Sequence, residues 1–310
     1  MTQQLDFSRF KSEINLTQYA AHLGYEIDRR KSTRSSIAMR CGADKIIISR
    51  RGSLWVYFSV SDDNDNGTII DFAKKRTNKG LKEIGRDLQS WISGGVDLPE
   101  PKSYVADVEE QVYDPARVAK VFKRCRPVTN HAYLEGRGLT DALLSSSRFA
   151  GRIFSDCYQN AAFPHYGAQG ICGLELKNTN KALFVRGSEK TLWRSNVRAG
   201  DDTLILSEAV IDALSYAALF PNESAIYAAT GGGMSPEQAE IIKQAVPYIK
   251  NLKRIVLITD NDQGGDRLAN KIQNTIAESS FSGEVIRHSP ARSGEDWNDV
   301  LMCAQGQCKY

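Results

Sequence analysis

TLILSE, residues 203–208, is an apolar run short enough to be a buried strand, and it places Glu208 where a helix over 209–219 would begin. Three similar runs follow, with helix-forming segments between them, at residues 225–230, 254–259 and 284–288. This alternation predicts a parallel sheet with crossover helices, in which binding sites form beyond the carboxyl ends of the strands. We therefore expect an α/β domain with a site at that edge.

Acidic residues follow several of these predicted strands. Glu208 follows the first strand, Asp260 and Asp262 follow the third, and Asp296 and Asp299 lie beyond the fourth. Carboxylates at one sheet edge repel one another unless cations offset them, and their hard oxygen atoms suit Mg²⁺ or Mn²⁺. Two such ions about 3.5–4 Å apart can hold the attacking and leaving oxygens of a phosphoryl displacement. The alternative is a hydrophilic turn, because Asp, Asn and Gly are common in turns.

Four short motifs in a fixed order resemble a known domain. They are Ser207-Glu208-Ala209-Val210-Ile211-Asp212, Thr230-Gly231-Gly232, Asp260-Asn261-Asp262-Gln263-Gly264-Gly265 and Asp296-Trp297-Asn298-Asp299. This order resembles the Toprim domain of bacterial DnaG-type primases, topoisomerases and OLD-type nucleases, and the last motif is similar to that of plasmid and mobile-element primases. The resemblance implies that Glu208, Asp260 and Asp262 are catalytic and bind metal, and that Asp296 and Asp299 complete the metal site. It implies supporting roles for Asp212, Gly231, Gly265 and Asn298.

The segment 114–200 supplies basic side chains that the acidic edge lacks. Its sequences NHAYLEGRGLT (130–140), AFP (162–164) and GICGLEL (170–176) resemble the start of the primase catalytic core. Six residues are candidates for a groove that binds a nucleic-acid backbone or a nucleoside triphosphate, namely Arg137, Lys177, Arg186, Lys190, Arg194 and Arg198. The alternative is a solvated hairpin with loosely paired charges.

The segment 1–92 resembles the N-terminal zinc-ribbon domain of DnaG-type primases. The resemblance rests on NGTIIDF (66–72) and on a leading helix, which is expected from residue 14 to residue 23. Strands are expected at 36–40, 45–49 and 54–60. Only Cys41 sits near a ligand position of the ribbon. We therefore expect an α+β, ribbon-like fold that has lost its zinc and rests on its apolar core.

Single-stranded DNA is a candidate ligand of this N-terminal segment. Trp55 or Tyr57 would stack on bases, and phosphates would be contacted by Arg29, Arg30, Lys31, Arg34, Arg50 and Arg51. The alternative is that the aromatic residues form cross-strand pairs in the core and that the arginines form a solvated face.

The six cysteines are scattered at positions 41, 125, 157, 172, 303 and 308, without a Cys-x-x-Cys pair. The four histidines lie near none of them at zinc-finger spacing, so no structural zinc is expected. Cys303 and Cys308 are close in sequence, and we expect free thiols in a reducing compartment.

Length and composition favour a multidomain globular protein. A chain of 310 residues predicts two or three domains, and we place them at 1–92, 114–200 and 201–310, with a linker at 93–113. The content of 41% hydrophobic and 25% charged residues is ordinary for such proteins. No apolar run approaches the roughly 18 residues of a membrane span, and the first residues do not begin a signal peptide. We expect a cytoplasmic location and no membrane partner.

The resemblance as a whole implies a DnaG-type primase with two Mg²⁺ or Mn²⁺ ions. Such an enzyme makes short RNA primers on single-stranded DNA from nucleoside triphosphates, and the implied partners include a replicative helicase. One alternative is a Toprim nuclease of a mobile element or defence system, which differs only in the oxygen that attacks. Another is a non-catalytic nucleic-acid-binding factor. The basic middle segment favours a primase, whereas the missing zinc ligands count against it.

Overall fold

The computed structural model describes residues 6–33, 35–62, 65–94 and 112–308. The chain divides into two compact units, Met1–Val112 and Tyr113–Tyr310. Arg34 and most of the predicted linker 93–113 lie outside the described residues. The predicted boundary at residue 200 falls inside the second unit, where residues from both of its sides share one buried core.

The first unit is an antiparallel sheet flanked by short helices. Its elements are α1 (Phe7–Glu13), α2 (Leu16–His22), β1 (Glu26–Ile27), β2 (Ser36–Cys41), β3 (Asp44–Arg51), β4 (Leu54–Ser59), β5 (Asn66–Gly67), α3 (Ile69–Thr77) and α4 (Leu81–Ile92). The strands pair in the order β1-β2-β3-β4-β5. The single leading helix expected from residue 14 is wrong at its start. Ile14 is extended after α1, and the Asn15 side chain accepts the N–H of Thr17 to begin α2.

Trp55 and Tyr57 face the core of the first unit, and they are only 5% and 2% exposed. They alternate with the outward-facing Val56 and Phe58 along β4, as the period of a half-buried strand requires. Tyr57 packs edge-on against Phe72 of α3, with ring centroids 5.0 Å apart. The expectation that either residue is available for base stacking is therefore wrong, and both residues lie in the core, as the alternative states.

A charged network around Arg76 connects distant segments of the first unit. The guanidinium group lies 4.3 Å from the ring centroid of Phe72 and donates hydrogen bonds to Asp65 at 2.7 Å and Asp44 at 3.0 Å. Tyr57 donates its hydroxyl proton to Asp65 at 2.5 Å. Burial alone would raise the pKa of Asp65, but the hydrogen bonds from Arg76 and Tyr57 bring it below its usual value. The unit is thus held by an ionic cross-link as well as by its apolar core.

The second unit begins with a mainly antiparallel subregion. Its elements are α5 (Pro115–Phe122), β6 (Arg126–Pro127), α6 (Ala132–Glu135), α7 (Asp141–Ser145), β7 (Phe154–Ser155), β8 (Ala161–Gly167), β9 (Gly170–Asn178) and β10 (Lys181–Phe184). The strands pair in the order β10-β9-β8-β7-β6. Ala162 and Leu174 pack against Val118 of α5, whereas Ala161 and Phe163 join the main core of the unit. Both faces of β8 are therefore buried.

The rest of the second unit is a three-layer α/β arrangement. Its elements are β11 (Trp193–Arg194), β12 (Thr203–Ser207), α8 (Val210–Leu219), β13 (Ala225–Ala229), α9 (Pro236–Ala245), a 3₁₀ turn (Val246–Tyr248), β14 (Arg254–Leu257), α10 (Gln263–Ala277), β15 (Glu284–Arg287) and α11 (Trp297–Ala304). The sheet order is β11-β13-β12-β14-β15, and every pair except β11 with β13 is parallel. The carboxyl ends of β12, β13, β14 and β15 therefore meet at one edge.

Alternate residues of this sheet supply two different cores. Ile205 and Tyr227 pack with α8 and α11 on one face, whereas Leu204 and Ile226 pack with α9 and α10 on the other. Strands buried on both faces read as continuous apolar runs, which explains the pattern of TLILS. Ser235 begins α9 with a capping box to Gln238.

Two further expectations concern the termini and the helices. Cys303 and Cys308 bring their sulfur atoms together at the end of α11, and the expectation of free thiols stays a prediction. None of the described helices has the length and apolar character that crossing a membrane requires.

Candidate functional site

Glu208 is held at the carboxyl end of β12 by a glycine turn. Its backbone carbonyl accepts the N–H groups of Gly231 and Gly232, at 2.8 and 3.0 Å. Both glycines have positive φ values, of 69° and 102°, which favour glycine. A Cβ atom on Gly231 would also lie 3.0 Å from the ring of Phe184. The turn after β13 therefore fixes the backbone that carries Glu208.

The loop after β14 places Asp260 and Asp262 beside the start of α10. The Asp262 side chain caps this helix by accepting the N–H of Gly265 at 2.7 Å. A Cβ atom on Gly265 would lie 2.1 Å from the backbone oxygen of Asp260, so only glycine permits this approach. Arg287 of β15 donates to the Thr259 hydroxyl and to the Asp260 carbonyl, both at 3.0 Å. The backbone of both aspartates is thus fixed from two sides.

The segment before α11 lies against the same loop. The Asn261 N–H donates to the Glu295 carbonyl at 3.1 Å, and the Gly294 N–H donates to the Asn261 carbonyl at 2.7 Å. Asp296 caps α11 by accepting the N–H of Asp299 at 2.7 Å. The third motif is therefore in direct backbone contact with the two residues that precede the fourth motif, although more than thirty residues separate the first positions of the two motifs.

Asn298 connects α11 to Arg137. Its side-chain amide donates to the Arg137 carbonyl at 2.7 Å and to the Ser215 hydroxyl at 3.0 Å. Its amide oxygen accepts a hydrogen bond from the Arg137 guanidinium group at 3.1 Å. Asn298 is only 1% exposed, so it acts as a fixed support for the arginine.

The carboxylates at this edge perturb one another. Burial raises the pKa of Asp260 to about 7, and the charges of Glu208, Asp296, Asp262 and Asp299 add to the increase. Burial also raises the pKa of Asp212 well above its usual value, with further increases from Asp296 and Asp260. The structure therefore brings together all six acidic residues that the motifs identify.

The carboxylate oxygens are suitable ligands for a divalent cation, but their side chains are not arranged around a common metal position. Among the described residues, no group of three His, Cys, Asp or Glu side chains is arranged to hold a metal ion. Asp260 and Asp212 nevertheless each leave one buried carboxylate oxygen without a hydrogen-bond partner. Such oxygens are costly to bury unless a cation or a donor reaches them. A hard divalent cation would offset both this cost and the mutual repulsion.

A cleft of about 460 Å³ borders the acidic edge. Its walls combine basic, aromatic and acidic side chains, namely Tyr133, Arg137, Lys177, Lys181, Asp212 and Asp296. The Arg137 guanidinium group lies 5.6 Å from the ring centroid of Tyr133, and Lys177 forms an ion pair with Glu175 at 3.2 Å. Two of the six predicted basic residues thus lie beside the carboxylates in a space that admits a ligand.

Lys190 is an internal cation beside Glu208. Its ammonium group donates to the Gly233 carbonyl at 2.9 Å and lies 5.9 Å from the ring centroid of Phe184. Burial lowers the pKa of Lys190, whereas the charges of Glu175 and Glu208 act in the opposite direction. In turn, burial raises the pKa of Glu208, Lys190 lowers it and Asp262 raises it further. Lys190 therefore contacts the glycine turn that holds Glu208.

Glu175 is a residue of this region that sequence reasoning missed. It is 4% exposed, and one of its carboxylate oxygens has no hydrogen-bond partner. Its only sequence signal is its position in the apolar strand β9, two residues before Lys177 and therefore on the same face.

The other predicted basic residues lie elsewhere. Arg198 forms an ion pair with Glu223 at 2.8 Å, near the amino end of β12, and so lies at the opposite edge of the sheet. Arg186 follows β10, next to Gly187, whose carbonyl accepts the Asp114 N–H at 2.8 Å. Arg194 lies on β11, close to Arg152 and Tyr166. Their regular spacing in the sequence therefore does not place them in one groove.

Three solved structures are similar in shape. For the primase fragment of the bacteriophage T7 primase-helicase protein, the identity is 13%, the coverage is 69% of this chain and 85% of that one, and the TM-score is 0.43. A DNA primase domain from Pseudomonas aeruginosa is 18% identical, with coverage of 62% of this chain and 69% of that one and a TM-score of 0.38. The zinc-binding and RNA polymerase domains of the Aquifex aeolicus primase are 13% identical, with coverage of 98% of this chain and 83% of that one and a TM-score of 0.37. Values this low do not by themselves establish a shared activity.

Sequence-family models give the more specific result. No curated protein sequence matches the chain significantly. Residues 132–213 match a family described as a protein of unknown function (DUF3991). Residues 205–301 match the model of the Toprim-like family, and this match spans all four motifs. The part of the chain that carries the acidic edge is therefore a Toprim-like domain.

Proposed function

We propose that this chain is a DnaG-type DNA primase, which synthesises short RNA primers on single-stranded DNA by two-metal nucleotidyl transfer. The observation that supports this most strongly is the position of the basic cleft beside the acidic edge. Asp212 and Asp296 line the same cleft as Arg137 and Lys177. Nucleotidyl transfer needs such a combination, because cations must neutralise the phosphates while carboxylates hold the metal ions.

The residues that would hold the metal ions are Glu208, Asp260 and Asp262, with Asp296 and Asp299 completing the set. When bound, two Mg²⁺ or Mn²⁺ ions make a hydroxyl a better nucleophile and stabilise the leaving pyrophosphate. Burial and the neighbouring carboxylates raise the pKa of Asp260 to about 7, and Asp260 leaves one buried carboxylate oxygen free of hydrogen bonds. We therefore assign Asp260 the central position among the metal ligands.

The basic residues would bind and orient the substrates. Arg137 presents a planar guanidinium group, which matches a phosphate bidentately, and Asn298 fixes its orientation. Lys177 and Lys181 lie at the two ends of the β9–β10 turn, on the other wall of the cleft. Tyr133 offers a ring for stacking beside Arg137. The cleft would thus hold the triphosphate of an incoming nucleotide, or the template backbone, against the carboxylates.

The experiment that tests this proposal incubates the full chain with single-stranded DNA, labelled ribonucleotides and Mg²⁺ or Mn²⁺. The Glu208→Gln variant is the control, because it keeps the size of the side chain and removes its charge. We expect new short labelled oligonucleotides from the unmodified chain and none from the variant. Shortened template without synthesis would instead identify a Toprim nuclease, in which water attacks at the same carboxylate edge. A chain that shows neither activity would contradict the proposal.

A further inference from the structure

Arg152 and Arg194 form a pair of like charges on the surface of the second unit, outside the cleft. Burial lowers the pKa of Arg194, and the charge of Arg152 lowers it further. The Arg152 guanidinium group lies 5.9 Å from the ring centroid of Tyr166. The charge of Tyr166 acts on Arg194 as well, so the three side chains form one cluster.

The cluster is held in place by polar contacts rather than by carboxylates. Arg152 donates from Nε to the Asn196 side chain at 2.7 Å, and Asn196 in turn donates to the carbonyls of Ser147 and Ala150, both at 3.0 Å. The Trp193 indole N–H donates to the Arg152 carbonyl at 2.9 Å. Both the backbone and the side chain of Arg152 are therefore fixed.

Other fixed arginines of this chain have an acidic partner. Arg148 pairs with Asp201 at 2.7 Å, and Arg76 pairs with Asp65 at 2.7 Å. Within the described ranges, neither Arg152 nor Arg194 forms an ion pair with a carboxylate. Two guanidinium groups held together without an acid repel each other, and a bound anion would remove this repulsion. Their planar donor groups match the oxygens of a phosphate.

The cluster lies close to the proposed active site along the sheet. Arg194 pairs with Ala228 of β13, two residues before Thr230, where the glycine turn that holds Glu208 begins. It is therefore on the half of β13 nearer to the acidic edge. Arg137 and Lys177 line the cleft, and Arg152 and Arg194 are not among its lining residues.

We propose that Arg152, Arg194 and Tyr166 form a second contact site for single-stranded nucleic acid, which binds backbone phosphate outside the cleft. This inference rests on the proposed function, because it takes a nucleic-acid strand as the substrate. The two guanidinium groups bind phosphate oxygens, and the Tyr166 hydroxyl group adds a donor beside them. A strand that runs through the active site is thereby held at a point beyond the reacting nucleotides.

The test measures binding of a labelled single-stranded oligonucleotide to the full chain by fluorescence anisotropy, in EDTA so that no turnover occurs, at a series of KCl concentrations. The Arg152→Gln/Arg194→Gln double variant should bind all sequences more weakly. The slope of log K against log salt should become less steep by about 1.4, since each phosphate contact on a single strand contributes about 0.7. The matched control is Arg254→Gln, because Arg254 is an exposed arginine at the amino end of β14, paired with Glu284.

A second variant distinguishes the effect of the positive charges from that of the planar guanidinium donor groups. Arg152→Lys/Arg194→Lys keeps both charges, so it should retain the salt slope but bind more weakly than the unmodified chain, because lysine lacks the bidentate donor group. A double Gln variant that keeps the native circular dichroism spectrum and binds like the unmodified chain would overturn this inference alone. An unmodified chain that does not bind single-stranded DNA would overturn both this inference and the proposed function.

Discussion

Arg76 and Asp65 form an ion pair in which the nitrogen and oxygen atoms are 2.7 Å apart, and their side chains are only 10% and 12% exposed. The pair connects α3 to the segment before β5, and the same guanidinium group also reaches Asp44, at the start of β3. The sequence predicts that the first unit has lost its zinc and rests on its apolar core. The structure adds a buried charged contact to that core, and this contact has measurable consequences.

Replacing Arg76 with methionine should destabilise the first unit by up to about 3–5 kcal/mol, because it leaves the buried Asp65 charge with only the more distant Lys75, at 3.7 Å, as an ionic partner. Urea unfolding of the full chain, followed by tryptophan fluorescence, measures the effect as a lower midpoint for the transition that includes Trp55 and Trp91. The control is Arg9→Met, because Arg9 and Glu13 form an ion pair at the surface and should contribute nothing measurable. Equal midpoints for the Arg76 variant and the unmodified chain would refute the expectation.

The lowered pKa of Asp65 predicts acid sensitivity of the same unit. A carboxylate with a lower pKa in the folded state stabilises the fold fully above its unfolded value of about 3.9. This stabilisation is lost as the pH falls from there through the folded value. Asp65→Asn should therefore be less stable than the unmodified chain at pH 7, and the difference should shrink below pH 4. A constant difference across this range would exclude Asp65 as the cause.

The raised pKa of Asp260 predicts the opposite pH dependence for the metal-free second unit. The folded pKa is about 7, above the unfolded value of about 3.9, so the contribution is fully present below pH 4 and is lost as the pH rises through 7. In EDTA at pH 8, Asp260→Asn should therefore melt at a higher temperature than the unmodified chain. Added Mg²⁺ should stabilise the unmodified chain and not the variant, because binding to the folded state raises its stability. Equal stabilisation of both by Mg²⁺ would remove Asp260 from the metal site.

Gly265→Ala should displace the start of α10 from the Asp260 backbone. Its Cβ atom would lie 2.1 Å from the Asp260 carbonyl oxygen, which is not the end of a flexible side chain and cannot move aside. We expect a loss of about 1–3 kcal/mol in the free energy of unfolding and weaker stabilisation by Mg²⁺. Gly200→Ala is the control, since a Cβ atom there meets nothing within 4 Å. If both alanine variants unfold at the same urea concentration, the close approach at Gly265 is unimportant.

Lys190→Met and Lys181→Met should affect different kinetic constants. Lys190 contacts the glycine turn behind Glu208, so its loss should lower kcat by about 10- to 100-fold, the equivalent of one charged hydrogen bond. Lys181 lines the cleft and contacts neither the turn nor Glu208, so its loss should mainly raise KM for the nucleotide. Steady-state primer synthesis at varied nucleotide concentrations distinguishes the two. A change of KM alone in the Lys190 variant would place that residue in substrate binding.

The parallel sheet and its acidic edge were predictable because both depend on local patterns. Apolar runs of strand length alternate with capped helices, and parallel strands bring their carboxyl ends to one side whatever the details of packing. Glu208, Asp260 and Asp262 each follow one of these strands, so the sequence alone predicts that they lie at the same edge of the sheet. The match of residues 205–301 to the Toprim-like family confirms the resemblance of this segment to a Toprim domain.

The basic residues were harder to place, because they lie on irregular connections. Lys190 and Arg198 are eight residues apart, yet one contacts the turn at the carboxyl edge and the other pairs with Glu223 near the amino edge. The chain path between β10 and β12 is set by tertiary contacts that no local spacing encodes. The contacts of Arg76 with Asp44 and Tyr25 likewise cross 32 and 51 residues of sequence. Such partners become visible only in the fold.

The strand order β11-β13-β12-β14-β15 also determines how the sheet can grow while the chain is being synthesised. The central strand, β12, leaves the ribosome before the three strands parallel to it. Next, β13 adds to one of its sides, β14 adds to the other, and β15 then extends the second side outward. No parallel strand has to be inserted between two that are already paired. Only β11, which is synthesised first, cannot pair until β13 has been synthesised.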